Sequence, residues 1–96
     1  MAAPGHTLAC GPITIGGYTS VQDNAVVHGE GPMEIGERVT IAHGAMVHCT
    51  RVGNNVLIAN NAVLLEFAEI GEFSIVAAAA VVRERTQVPP RSVVMG

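Results

Sequence analysis

From Val52 onward an aliphatic residue returns at every sixth position: Val52, Ile58, Leu64, Ile70, Val76, Val82, Val88 and Val94. Upstream the same period runs through Ile15, Val21, Val27 and Met33. It restarts two residues late at Ile35, Ile41 and Val47, then drops one residue to reach Val52. The fourth residue after each of these is usually small, as at Thr19, Ala25, Ala45, Ala62, Ala68, Ser74, Ala80, Thr86 and Ser92. The third is often Asn or Gly (Asn24, Gly44, Asn55, Asn61), types that tolerate the positive φ of tight turns. A helix would repeat at three and four, and a half-buried strand at two. Period six instead predicts short strands and tight turns in a parallel β-helix of hexapeptide repeats, three to a coil of about 18 residues. The chain reads as one all-β domain of about four to five coils, with residues 12–96 in the repeat and residues 1–11 a tail or partial first coil. Periodicity leaves the hand of the coil open, since the general crossover preference is right-handed.

Composition agrees. The chain has 96 residues, 49% of them apolar but only 3% aromatic. A core built from Val, Ile, Leu, Met and Ala suits narrow stacked layers. Net charge is −3, there is no Lys, and all five cationic side chains are Arg. No basic stripe offers itself to nucleic acid. The longest apolar run, Ser74 to Val82, is far short of the roughly 20 residues of a membrane helix. The N-terminus shows no charged segment followed by an apolar one, so the expected location is cytoplasmic. Two cysteines, Cys10 and Cys49, do not make a disulfide framework. A chain this small is marginal alone, which favours oligomerisation.

Three of the four histidines fall where the repeat gives them meaning. His28 follows Val27 and His48 follows Val47, both directly after an inward residue and in successive coils. They are therefore expected as stacked neighbours. His43 is second after Ile41, one corner earlier, in column with Asp23 and Asn60. It should not reach the pair in its own subunit, but around a threefold axis it could reach the pair of a neighbour. Spacing alone leaves two readings: outward imidazoles without a ligand, or a three-histidine metal site shared within a trimer. Three His with an open fourth position is the catalytic form of a zinc site, where bound water ionises near neutral pH.

The segment Ser20-Val21-Gln22-Asp23-Asn24-Ala25-Val26-Val27-His28 resembles the first metal motif of gamma-class carbonic anhydrases, and Ile35 to His48 resembles the second. Val52 to Val82 is similar to the following repeats, and Pro89 to Gly96 to the closing turn. The resemblance implies a left-handed β-helix and a homotrimer with zinc, iron(II) or cobalt(II) at each interface. His28 and His48 would come from one subunit and His43 from the next. It implies reversible hydration of carbon dioxide to bicarbonate by a metal-bound hydroxide. Gln22 would orient that hydroxide, Asp23 would organise the site near the interface, and Glu30 is a candidate proton shuttle. Members of the family carry further N-terminal coils with an Arg and an Asp that His6-Thr7-Leu8-Ala9-Cys10 lacks, and a C-terminal helix. The chain is thus expected to be a fragment or a minimal member.

Other readings stay open at this level. A relative that binds metal but catalyses little would serve as a scaffold. A hexapeptide acyltransferase would use one His as general base, and a thioesterase could use the same metal site. Phe67 and Phe73, both third after an inward residue, are expected to point outward or to cap a patch between subunits. Asn60 is expected to stack along the solenoid. Arg83-Glu84-Arg85 reads as solvated surface, and Cys49 as a packing residue rather than a fourth ligand.

Overall fold

The computed structural model describes residues 7–9, 13–28, 32–48 and 51–95. The first coil carries β1 (Thr7–Ala9), β2 (Ile13–Ile15) and β3 (Ser20–Val21); the second carries β4 (Val26–His28), β5 (Met33–Ile35) and β6 (Thr40–Ile41). The third holds β7 (Met46–Val47), β8 (Arg51–Val52) and β9 (Leu57–Ile58), and the fourth β10 (Val63–Leu64), β11 (Glu69–Ile70) and β12 (Ile75–Val76). A further turn adds β13 (Val81–Val82), β14 (Gln87–Val88) and β15 (Val93–Val94). Strands three apart in sequence pair in parallel, which gives three five-stranded sheets, the faces of a triangular prism. The coils wind as a left-handed parallel β-helix. The described residues include no helix, and so none long and apolar enough to cross a membrane.

The period-six residues line the interior. Val27, Ile41, Val47, Ile58, Leu64 and Val76 are completely buried, and the small residues at the corners (Ala25, Ala45, Ala62, Ala68, Ala80) are equally enclosed. A narrow triangular core has room for one medium side chain per strand and a methyl group per corner. Each such aliphatic side chain contributes about 1.5–3 kcal/mol of burial. Two corner hydroxyls are buried and bonded: Thr19 donates to the Gly36 carbonyl at 2.8 Å, and Ser74 to that of Pro89 at 3.2 Å. Ile15 departs from the pattern. It is 37% exposed, because β2 belongs to the first coil and is covered on one side only.

The register slip has a structural origin. In β5 both Met33 and Ile35 turn inward with Glu34 exposed between them, so that strand carries an additional inward residue. Partners across this coil, such as Val27 with Val47 and Val21 with Ile41, differ by 20 in number. Partners across the next, such as Val47 with Leu64 and Ile41 with Ile58, differ by 17. The strand Thr7–Ala9 beside Val26–His28 places a paired strand ahead of the first legible repeat. His6, Cys10, Gly11, Pro12, Cys49 and Glu30 lie outside the described residues.

The turns are built on left-handed residues. Asn24, Asn55 and Asn61 have φ near 60°, and Gly44 has φ 70°. Tyr18, Arg38, Phe67, Phe73, Ala79, Arg85 and Arg91 adopt the same conformation. For a bulky side chain this is a strained geometry. Ladder bonds hold it in place, as where Phe73 N–H donates to Asn54 O at 3.0 Å and Arg85 N–H to Glu66 O at 3.0 Å. Stacking adds to this. The Arg38, Arg85 and Arg91 guanidiniums lie 5.6, 5.3 and 5.7 Å from the rings of Tyr18, Phe67 and Phe73, each from one coil further along. Phe67 and Phe73 do point outward, roughly half exposed, with an Arg over each ring.

The outward residues make the three faces unlike. On β2, β5, β8, β11 and β14 they are Thr14, Glu34, Arg51, Glu69 and Gln87, a polar column. On β4, β7, β10 and β13 they are Val26, Met46, Val63 and Val81, all apolar. On β9, β12 and β15 they are Leu57, Ile75 and Val93.

Candidate metal centre

His28 ends β4 and His48 directly follows β7, so the pairing of Val27 with Val47 sets the imidazoles one above the other. Their ring centroids are 4.8 Å apart and the planes are tilted by 60°. The His48 backbone N–H donates to Leu64 O at 2.8 Å, which fixes the residue to the next coil. Its Nε2 is buried and has no hydrogen-bond partner. On the other side of the ring, Nδ1 faces Glu66 Oε1 at 3.9 Å. A buried ring nitrogen without a partner is costly unless something occupies it.

His43 lies elsewhere. It is exposed on the corner between β6 and β7, where Asp23, Asn24, Gly44, Asn60 and Asn61 join it around a shallow concavity of about 470 Å³. Backbone bonds stack this corner: Gly44 N–H donates to Asp23 O at 3.1 Å and Asn61 N–H to His43 O at 3.0 Å. Gly44 suits this corner, since its φ is 70° and a Cβ would press on the Asn61 side chain. Gln22 precedes Asp23 on the same corner, half-buried, its N–H donating to Ile41 O at 2.9 Å. The chain thus brings together His28 with His48, and separately Gln22, Asp23 and His43. Among the described residues no three His, Cys, Asp or Glu side chains are placed to hold one ion. Sequence reasoning missed Glu66, which enters the His48 environment from the following coil. A larger concavity of about 630 Å³ lies over the polar face, lined by Glu34, Arg51, Asn54 and Glu72 among others, away from the histidines.

These residues fit a divalent cation in part. The donor set is imidazole, an Nε2 is enclosed and unpartnered, and a stacked second ring stands beside it.

No family profile matches the chain. It is 45% identical over 86 residues to a probable carbonic anhydrase of Methanocaldococcus jannaschii, across 88% of this chain and 54% of that protein. It is 34% identical over 85 residues to gamma carbonic anhydrase 1, mitochondrial, of Arabidopsis thaliana (80% of this chain, 31% of that protein). It is 33% identical over 88 residues to the carnitine operon protein CaiE of Escherichia coli K12 (90% and 45%). The chain therefore spans from under a third to just over half of these relatives' lengths. In structure it superposes with a TM-score of 0.76 on a hexapeptide transferase family protein from Anaplasma phagocytophilum, at 23% identity, over 93% of this chain and 69% of that one. That likeness defines the class as a hexapeptide-repeat β-helix protein. Within the class, the sequence is similar to the gamma carbonic anhydrases and CaiE, which supports a place in the gamma carbonic anhydrase and hexapeptide-repeat family.

Proposed function

We propose that this chain forms the metal-binding β-helix of a gamma-class carbonic anhydrase, interconverting carbon dioxide and bicarbonate at a divalent-metal site shared between subunits of a homotrimer. The observation that carries this reading is the stacked pair His28–His48 with the enclosed, unpartnered Nε2 of His48. His28 and His48 of one subunit would hold zinc, or iron(II) or cobalt(II), together with His43 of a neighbour. When bound, such an ion lowers the pKa of a coordinated water to about 7.

The chain's own residues have separate tasks in this reading. Gln22 shares the His43 corner, so it would approach the metal from the neighbour's side and orient the reacting oxygen by a hydrogen bond. Asp23 belongs to that same corner and would organise the contact between subunits. Glu30, the candidate shuttle, lies outside the described residues. The apolar outward residues Val26, Met46, Val63 and Val81 run along the face between the two histidine corners. Their exposure, 42% for Met46 and 53% for Val81, supports a trimer that buries this face.

The test is stopped-flow carbon dioxide hydration on protein loaded with zinc, and separately with iron(II) under anaerobic conditions, with His43→Ala as control. The reading expects hydration that disappears in the mutant. Protein that carries stoichiometric metal and shows no hydration would sink the enzyme reading, leaving the metal-binding scaffold or another substrate.

A further inference from the structure

We infer that Glu66 is a positioning residue for His48, holding the imidazole proton on Nδ1 so that the Nε2 lone pair is presented to the metal. The inference deepens the metal reading above and rests on it. The two ring nitrogens of His48 have opposite surroundings: Nδ1 looks toward the Glu66 carboxylate at 3.9 Å, and Nε2 is buried without any partner. A neutral imidazole carries one N–H, and it resides where an acceptor waits. The carboxylate is the acceptor facing Nδ1, at a separation that one bridging water or a small side-chain rotation closes. A proton on Nε2 would be buried with nothing to receive it, at the full desolvation cost of an unpaired donor.

Backbone geometry keeps Glu66 in place. It sits two residues beyond Leu64, the register partner of Val47, and its carbonyl accepts the Arg85 N–H at 3.0 Å. Arg85 in turn lies over the Phe67 ring beside it. The turn carrying Glu66 is therefore fastened to the next coil while its carboxylate remains 42% exposed. Removing that carboxylate should leave the core untouched. A carboxylate behind a ligating histidine fixes the tautomer and raises the basicity of the ligand, and its loss costs metal affinity by about 10–100-fold.

The experiment compares wild type, Glu66→Ala and Glu66→Asp in the full chain. Imidazole ¹⁵N NMR on metal-free protein reads the His48 tautomer. Competition titration with zinc and with cobalt(II) reads affinity. The inference expects an Nδ1–H tautomer in wild type, a shift toward Nε2–H in Glu66→Ala, and affinity weaker by about 10–100-fold. Glu66→Asp, which keeps a carboxylate, should recover most of both. An unchanged tautomer in Glu66→Ala, or affinity within twofold of wild type, would overturn it. Failure of wild type itself to bind either ion would instead overturn the metal reading, and with it any role of Glu66 toward a ligand. The metal-free spectrum tells that case apart.

Discussion

His43 and His48 flank β7 on different corners of the prism, although they are only five positions apart in the chain. Strand geometry is the reason. Residues 43–48 run from the turn at His43 and Gly44 through Met46–Val47 to the next corner, so the two side chains belong to different corners. His28, by contrast, is 20 residues from His48 in number and has its ring 4.8 Å away. A three-histidine site made of these residues would therefore need two chains, which would tie metal binding to assembly.

The apolar face between those corners gives the first prediction. Val81→Glu places a charge on a surface that the trimer would bury, at its β13 end. Sedimentation velocity should show the trimer lost or weakened, together with zinc binding. Gln87→Glu on the polar face serves as the control and should sediment as wild type. A Val81→Glu protein that stays trimeric would remove this face from the interface.

Close packing of successive coils gives the second. A Cβ on Gly36 would clash with Asn54 Oδ1 and lie 2.9 Å from the Gly53 carbonyl carbon, so part of the clash is with backbone that cannot step aside. Gly36→Ala should destabilise by about 1–3 kcal/mol. Gly17, on the same corner one coil earlier, has nothing within 4 Å of such a Cβ. Gly17→Ala should be neutral or gain up to about 1 kcal/mol through the unfolded state. Chemical denaturation of the pair checks the contrast, and equal effects would contradict the coil spacing described here.

Ala79 supplies a prediction whose sign runs against habit. Its φ of 60° costs an L-residue about 1–2 kcal/mol, whereas glycine adopts it freely at an entropic cost of about 0.5–1 kcal/mol. Ala79→Gly should thus raise the melting temperature slightly, with the Ala79 N–H to Asn60 O bond at 2.9 Å retained. A fall in melting temperature would show that the turn is not strained.

Much of this architecture was readable in the chain because each inward residue must sit on its equivalent one coil away. The period alone therefore placed Val27 beside Val47 and His28 beside His48. The late restart at Ile35 also had a structural cause, the additional inward residue of β5. Thr7–Ala9 was not legible as a strand, since Leu8 is an isolated aliphatic residue ahead of the first repeat. The stacks of Arg38 on Tyr18 and Arg85 on Phe67 were hidden for another reason. A third-position Phe or Arg carries none of the Asn or Gly signal of a left-handed turn, so nothing local marks it as a corner. Glu66 was obscured by the coil in which partners differ by 17 in number: Leu65 is the residue in line with His48, and Glu66 comes close only by standing one further round the turn.

The central claim, that one site draws His43 from one subunit and His28 with His48 from another, is tested most directly by mixing inactive variants. His43→Ala and His48→Ala are each expected to lack hydration activity. Unfolded together and refolded as mixed trimers, they should regain about a quarter of the wild-type sites, because that share of interfaces in a heterologous ring pairs an intact His43 with an intact His48. Mixing Gln22→Ala with His43→Ala should restore nothing beyond the activity of Gln22→Ala, since both residues belong to the same corner. Recovery of zinc binding and hydration in the first mixture alone is the predicted result. No recovery in the first mixture, from trimers shown to be mixed, would contradict a site shared between subunits.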